Sequence, residues 1–249
     1  MPDLVPDAEP VPGRGQLPLP VQLRPEASFD EFVAGPNELA VAAARAFVEP
    51  GSELYLYLFG AAGTGKTHLL HAVCRAASAG RRPVSYLPLG DPGLTPAILD
   101  GLDQMWLVAL DDVQRIAGDR AWERGLFGLF NRLREGKRRL LVSADCPAAE
   151  LPLDLADLRS RLSWGPGFRL RALDDSDCET LLRHAARRRG LELGDSAISY
   201  IMRRSPRDVR ALIAVLDDLD QASLREQRRP TVPFIRALLE GGDSDQSRR

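Results

Sequence analysis

Leu54-Tyr55-Leu56-Tyr57-Leu58-Phe59-Gly60-Ala61-Ala62-Gly63-Thr64-Gly65-Lys66-Thr67 runs from an unbroken apolar stretch into a glycine-rich loop that ends on Lys-Thr. The apolar stretch has the length and composition of a buried strand, and the residues after Thr67 have the pattern of a helix. Between them, Gly60 to Thr67 fits G-x-x-x-x-G-K-T, the spacing of a phosphate-binding loop. The glycines let backbone N–H groups wrap a phosphate, and the start of the following helix adds the positive end of its dipole. Lys66 is then placed for the β and γ phosphates, and the Thr67 hydroxyl for a Mg²⁺ ion.

Working outward, apolar runs recur at Leu54 to Phe59, Val84 to Leu87, Leu107 to Leu110 and Leu140 to Val142, with a shorter one at Phe168 to Leu170. Helix-like stretches separate them: Asn37 to Phe47, Lys66 to Ala79, Thr95 to Leu102, and Trp122 to Glu135, the last closed by Gly136. Near-continuous apolar strands alternating with helices predict an α/β fold, a five-stranded parallel sheet with helices on both faces. After Leu173 the strand patterns stop. Asp174-Asp175-Ser176, Asp195-Ser196 and Ser205-Pro206 each read as a helix start, so a small all-helical domain is expected to follow. In its longest helix Val209, Leu212, Ile213, Leu216 and Leu219 form one stripe, and a last helix from Thr231 to Glu240 ends at Gly241-Gly242. The expected organisation is a flexible tail over 1–25, a nucleotide-binding α/β domain over 26–173, a helical lid over 174–241 and a frayed end over 242–249.

A second acidic element closes the strand Leu107 to Leu110, where Asp111-Asp112 project from the carboxyl edge of the sheet toward the phosphate loop. Asp111 is the candidate to hold Mg²⁺, with Thr67, and Asp112 the candidate to orient an attacking water. Composition sets the outer limits. With 44% hydrophobic and 27% charged residues and a net charge of -2, the chain is an ordinary globular protein rather than a collagen-like, coiled-coil or disordered one. The near-neutral balance also argues against a protein that coats nucleic acid by bulk charge. Three scattered cysteines, no basic-apolar leader and no long uncharged stretch point to a cytoplasmic protein without a membrane span. Arg132, Arg134, Lys137, Arg138 and Arg139 form a basic cluster, read as a solvated face or helix caps in preference to a DNA surface. His68 and His71, one helical turn apart without a third ligand, read as packing residues and not as a zinc site.

With both phosphate-site motifs in place, the chain resembles the AAA+ ATPases, and within them the DnaA initiator clade. The residues that carry the resemblance are Ser28-Phe29-Asp30-Glu31-Phe32-Val33, Leu110-Asp111-Asp112-Val113-Gln114 and Leu158-Arg159-Ser160-Arg161-Leu162-Ser163-Trp164-Gly165. The resemblance implies that Arg161 is an arginine finger, reaching the γ-phosphate held by a neighbouring subunit. It also implies that Asp145 stands at the first sensor position, that Arg210 is the second sensor, and that Asp112 replaces the glutamate usual in AAA+ enzymes, as in the slow DnaA ATPases. Trp164 is expected to position the finger segment by packing.

The resemblance spans about residues 28 to 240, which leaves no room for the initiator's DNA-binding helix-turn-helix domain. In place of the initiator's amino-terminal domain stands Gln16-Leu17-Pro18-Leu19-Pro20, similar to the peptide by which bacterial replication proteins bind the DNA polymerase sliding clamp. Leu17 and Leu19 suit a hydrophobic pocket, Pro18 and Pro20 limit the entropy lost on docking, and Gln16 offers hydrogen bonds. The combination resembles the Hda family of DnaA-homologous regulators. That implies a protein that binds ADP or ATP with Mg²⁺, docks on the clamp, and stimulates hydrolysis of DnaA-bound ATP in trans through Arg161, so preventing over-initiation. DNA is then met mainly through the clamp, and self-association is left open. The alternative is a self-sufficient DnaA-like or helicase-loader-like AAA+ ATPase that remodels DNA-bound complexes.

Overall fold

The computed structural model describes residues 27–206 and 208–246, and the expected docking peptide Gln16-Leu17-Pro18-Leu19-Pro20 lies outside them. Five strands, β1 (Tyr55–Phe59), β2 (Val84–Pro88), β3 (Leu107–Asp111), β4 (Arg139–Ala144) and β5 (Gly167–Arg169), form one sheet in the order β2-β3-β4-β1-β5. Every pairing is parallel, so each strand delivers its carboxyl end to the same edge. Side chains alternate between two faces, as the strand period requires. In β3, Val108 and Leu110 pack with Leu126 and Leu129 of α3 (Arg120–Glu135) on one side, with Leu158 and Leu162 of α4 (Ala156–Leu162) in the same cluster. Leu107 and Ala109 pack on the other side with Leu69, Leu70 and Val73 of α2 (Lys66–Ala79) and Ala40 and Ala44 of α1 (Glu38–Ala46).

Local chemistry explains where the boundaries fall. The Asp119 carboxylate accepts the N–H groups of Ala121 (2.9 Å) and Trp122 (3.2 Å), which starts α3 two residues ahead of the apolar periodicity. The helix expected from Thr95 to Leu102 does not form. Two 3₁₀ turns, Pro96–Leu99 and Leu102–Gln104, stand there instead, separated at Gly101, whose φ of +78° leaves the helical region. Nothing in the sequence pattern announces α4, because its seven residues carry only two buried apolar positions.

The remaining helices, α5 (Asp175–Arg188), α6 (Asp195–Arg204), α7 (Val209–Glu226) and α8 (Val232–Gln246), enclose their own core of Leu182, Ile198, Ile201, Leu212, Leu216, Leu219 and Ile235. Asp174 caps α5 by accepting the Asp177 N–H, and Asp208 caps α7 by accepting the Arg210 N–H. The start expected at Ser205-Pro206 therefore falls at Asp208. The last helix runs on through Gly241-Gly242 to Gln246, past the end expected at Glu240. Glycine weakens a helix by roughly 1 kcal/mol but, unlike proline, removes no donor. The amino-terminal segment ties the two parts together. Asn37 donates to the Arg171 carbonyl (3.0 Å) and accepts the Arg171 N–H (2.7 Å), and Glu31 pairs with Arg188 of α5. No helix among the described residues is long and apolar enough to cross a membrane.

Candidate nucleotide site

The phosphate loop leaves β1 at Gly60 and enters α2 at Lys66. All three of its glycines are demanded by geometry; at Gly60 a Cβ would stand 2.4 Å from the Leu170 carbonyl oxygen. Gly65 has a φ of +95°, and a Cβ there would stand 2.6 Å from the Phe32 ring. Gly63 has a φ of +80°, and a Cβ there would stand 2.6 Å from Oδ1 of Asp208 at the foot of α7. The loop is thus squeezed between the amino-terminal segment and the helical lid, and any side chain at either position would push one of them away. Ala61 accepts a hydrogen bond from the Thr64 hydroxyl (2.9 Å), while Ala62 is exposed. The Lys66 ammonium donates to the loop's own Gly60 (2.7 Å) and Ala61 (3.0 Å) carbonyls. Burial lowers its pKa, and the Arg210 charge adds to that effect, while Asp112, Asp111 and Asp145 oppose it. The five charges therefore belong to one electrostatic cluster, drawn from α2, the ends of β3 and β4, and α7.

Asp111, at the carboxyl end of β3, is buried and saturated by hydroxyls. Its Oδ2 accepts from Thr67 Oγ1 (2.7 Å) and from the Tyr86 hydroxyl (2.8 Å), and its Oδ1 accepts from Ser143 Oγ. Ser143 Oγ in turn accepts the Asp112 N–H (2.9 Å). Asp112 holds a left-handed backbone with φ +60°, and its Oδ1 accepts from Gln114 Nε2 (3.1 Å). A non-glycine residue costs about 1 kcal/mol or more in that conformation, which is typical of side chains aimed at a reacting group. The oxygens of Thr67 and Asp111 suit a hard cation that takes one or two protein ligands and completes its shell with phosphate and water. Among the described residues no group of three or more His, Cys, Asp or Glu side chains could hold a metal ion on its own, and His68 and His71 form no such group. His68 Nε2 instead lies 2.8 Å from the Ser28 carbonyl.

Asp145 follows β4 and is exposed. It borders a cleft of about 520 Å³ that is also lined by Gly60, Ala61, Thr64, Cys146, Arg169 and Arg171. Burial, then the Asp145 side chain, pushes the Cys146 thiol up to about 11, so this cysteine is no activated nucleophile. Arg161 stands apart. It sits in the last turn of α4, where its guanidinium carbon lies 4.2 Å from the centroid of the Trp164 ring. Tyr86, Ser143 and Asp208 have no counterpart among the residues singled out from the sequence. They are short-range supports whose roles depend on strand register and lid placement.

The family of the bacterial DnaA ATPase domain matches residues 23–88 and 98–168, more than half of the chain. The chain belongs to that family. Residues 174–239 match the Hda lid domain, so the four carboxyl-terminal helices are an Hda-type lid carried on a DnaA-type ATPase domain. That pairing makes the chain a DnaA-related replication regulator. The fold agrees. Domain III of the Thermotoga maritima replication initiation protein DnaA superposes with a TM-score of 0.77 at 22% identity, covering 88% of this chain and 98% of that one. AMPPCP-bound DnaA from Aquifex aeolicus gives 0.69 at 24% identity, covering 81% of this chain and 67% of that one. The Thermotoga maritima RuvB Holliday junction branch migration motor gives 0.66 at 22% identity, covering 88% and 72%. DnaA-type sequence and AAA+ architecture thus coincide on the same residues.

Proposed function

We propose that this DnaA-family chain binds ADP or ATP in its phosphate loop and acts on DnaA, stimulating hydrolysis of the ATP that DnaA carries and so preventing over-initiation. Gly60 to Thr67 cradle the phosphates, Arg210 and Asp145 read them from the lid and from β4, and Thr67 with Asp111 hold Mg²⁺. The ion would neutralise charge between the phosphates. Asp112 is short for a water-orienting carboxylate, so intrinsic turnover is slow and the bound nucleotide chiefly sets the angle of the lid. Arg161 acts in trans. The observation that carries this reading is one chain that joins an Hda-type lid to a DnaA-type ATPase domain, with Arg161 outside the charge cluster around its own Lys66. Gln16, Leu17, Leu19 and Pro20 dock the protein on the sliding clamp, which brings it to DNA.

The test is γ-phosphate release from ATP-loaded DnaA in the presence of this protein, ADP and DNA-loaded clamp. Wild type should stimulate release and Arg161→Ala should not. A double change, Gln16→Ala with Leu17→Ala, should abolish clamp binding at unchanged nucleotide affinity. No stimulation by wild type, with DnaA and clamp shown to be active, would replace this reading by that of a self-sufficient ATPase.

A further inference from the structure

Trp164 is 56% exposed, unusual for the largest apolar side chain, and it is not idle. Arg161 lies over its ring at 4.2 Å, and Arg134, from the last turn of α3, lies over the same ring at 4.3 Å. The backbone that carries the indole is pinned. The Trp164 backbone N–H donates to the Arg161 carbonyl (3.2 Å), the Tyr55 hydroxyl donates to the Leu162 carbonyl (2.8 Å), and Gly165 lies so close to the Tyr55 ring that any Cβ would collide with it. Neither guanidinium donates a hydrogen bond or pairs with a carboxylate among the described residues. Two cations are therefore gathered on one platform, their mutual repulsion offset by the ring's quadrupole, with all their donors free. Two guanidinium forks in one place match the several oxygens of a polyphosphate better than a lone carboxylate.

We infer that Arg134 is a second cation of the site that Arg161 serves, that Trp164 is the positioning residue holding both, and that the ligand is the polyphosphate of a nucleotide carried by a partner chain. This rests on the reading of Arg161 as a group acting in trans. The α3 carboxyl end thereby joins α4 in the surface that meets the ATP-loaded partner.

The experiment measures stimulated γ-phosphate release from ATP-loaded DnaA against the concentration of this protein, and binding to ATP- and ADP-loaded DnaA, for wild type, Arg161→Ala, Arg134→Ala, Trp164→Ala and Trp164→Phe. Trp164→Ala should lower the maximal rate about tenfold and Trp164→Phe should restore most of it, because a phenyl ring still offers a face to a cation. Arg134→Ala should raise the half-saturating concentration about five- to tenfold with ATP-loaded DnaA and leave binding to ADP-loaded DnaA unchanged. All four side-chain changes should keep the thermal midpoint. If Arg134→Ala and Trp164→Ala stimulate like wild type while Arg161→Ala is inactive, this inference is wrong and the proposed function stands. If Arg161→Ala itself stimulates like wild type, the proposed function has failed. Equal weakening toward ATP- and ADP-loaded DnaA by Arg134→Ala would assign Arg134 to a carboxylate on the partner's surface and overturn the polyphosphate.

Discussion

Two tryptophans of this chain each carry a pair of arginines, and the two stacks have opposite fates. At the amino-terminal edge of the sheet Trp106 lies under Arg82 (4.2 Å) and Arg139 (4.1 Å). There guanidinium donors are tied to the chain's own carbonyls. Arg139 donates to the carbonyls of Phe47 (2.9 Å) and Glu49 (3.0 Å) and to Ser52 Oγ (3.3 Å), and Arg82 donates to the Val48 carbonyl. The stack thus closes the chain between α1 and β1, a stretch whose carbonyls have no strand to bond. Farther along the same edge, beside the starts of β1 and β5, Trp164 carries Arg161 and Arg134 at similar distances, with no donor spent. The chemistry is the same in both places. What separates a structural stack from one available to a partner is the fate of the N–H groups, since an arginine tied to its own chain's carbonyls has fewer donors to offer and a fixed place.

The largest effect expected is at the open stack. Arg161→Ala should lower stimulated hydrolysis of DnaA-bound ATP by ~10³-fold or more, the usual worth of an arginine finger, while leaving urea denaturation unchanged. Arg139→Ala should do the reverse. Removing a buried guanidinium leaves the Phe47 and Glu49 carbonyls with Ser52 as their remaining donor and takes one cation off the Trp106 ring, a loss of about 1 to 3 kcal/mol in unfolding free energy. Stimulation per folded molecule should stay normal. A stable Arg139→Ala variant with defective stimulation would dissolve the distinction between the stacks.

Glu123→Ala comes next, because Glu123 connects the two kinds of role. It is 1% exposed, and its carboxylate accepts the N–H groups of Gly118 (2.9 Å), Asp154 (3.1 Å) and Leu155 (2.7 Å). These lie in the loop after the Asp111-Asp112 strand and in the segment that leads into α4, so one buried charge fixes the finger helix relative to the nucleotide side of its own chain. Loss of that acceptor should cost about 2 to 3 kcal/mol of stability and, unlike Arg139→Ala, also weaken stimulation at temperatures where the protein is folded. Circular dichroism melts paired with the release assay check both halves.

The sequence carried the site unevenly, for identifiable reasons. Lys66, Thr67 and the Asp111-Asp112 pair are legible because loop spacing and strand ends fix them locally, and the observed bounds of α2 coincide with the expected ones. Tyr86 and Ser143, which saturate Asp111, are invisible in a linear reading. They reach it from β2 and β4, on either side of β3: Ser143 follows the Leu110–Val142 pair and stands level with Asp111, whereas Tyr86 pairs with Ala109 and its long side chain spans the two residues between. The basic cluster from Arg132 to Arg139 shows the same limit. Read as one solvated face, it divides at the end of α3. Arg132 pairs with Asp103 (3.3 Å), Arg134 goes to the open stack and Arg139, now in β4, to the closed one. The turn at Gly136 sends neighbours in sequence to two different stacks along one edge of the sheet. Composition counts such charges, but only the chain path tells which of them keep their donors. Arg161 was legible through family resemblance, whereas nothing in the sequence announces that Arg134 shares the Trp164 ring with it.

The smallest effect expected is the sharpest discriminator between the stacks, because it needs no mutation of either. Salt screens charges that face solvent and leaves those shielded by protein almost untouched, the screening length falling from ~10 Å at 0.1 M to ~3 Å at 1 M. An open guanidinium pair that attracts a partner's phosphates from a distance should lose reach as salt rises. The half-saturating concentration for stimulation should therefore climb a few-fold between about 0.1 and 0.4 M KCl. The closed stack works through hydrogen bonds to backbone carbonyls at 2.9 to 3.0 Å and through contact with a half-buried ring. The stability difference between wild type and Arg139→Ala should hold constant, within the error of a denaturation curve, over the same range. Arg134→Ala should flatten the first dependence and leave the second alone. Should the stability difference shrink with salt in step with stimulation, the two stacks would be drawing on the same long-range electrostatics, and the fate of the donors would no longer explain their different roles.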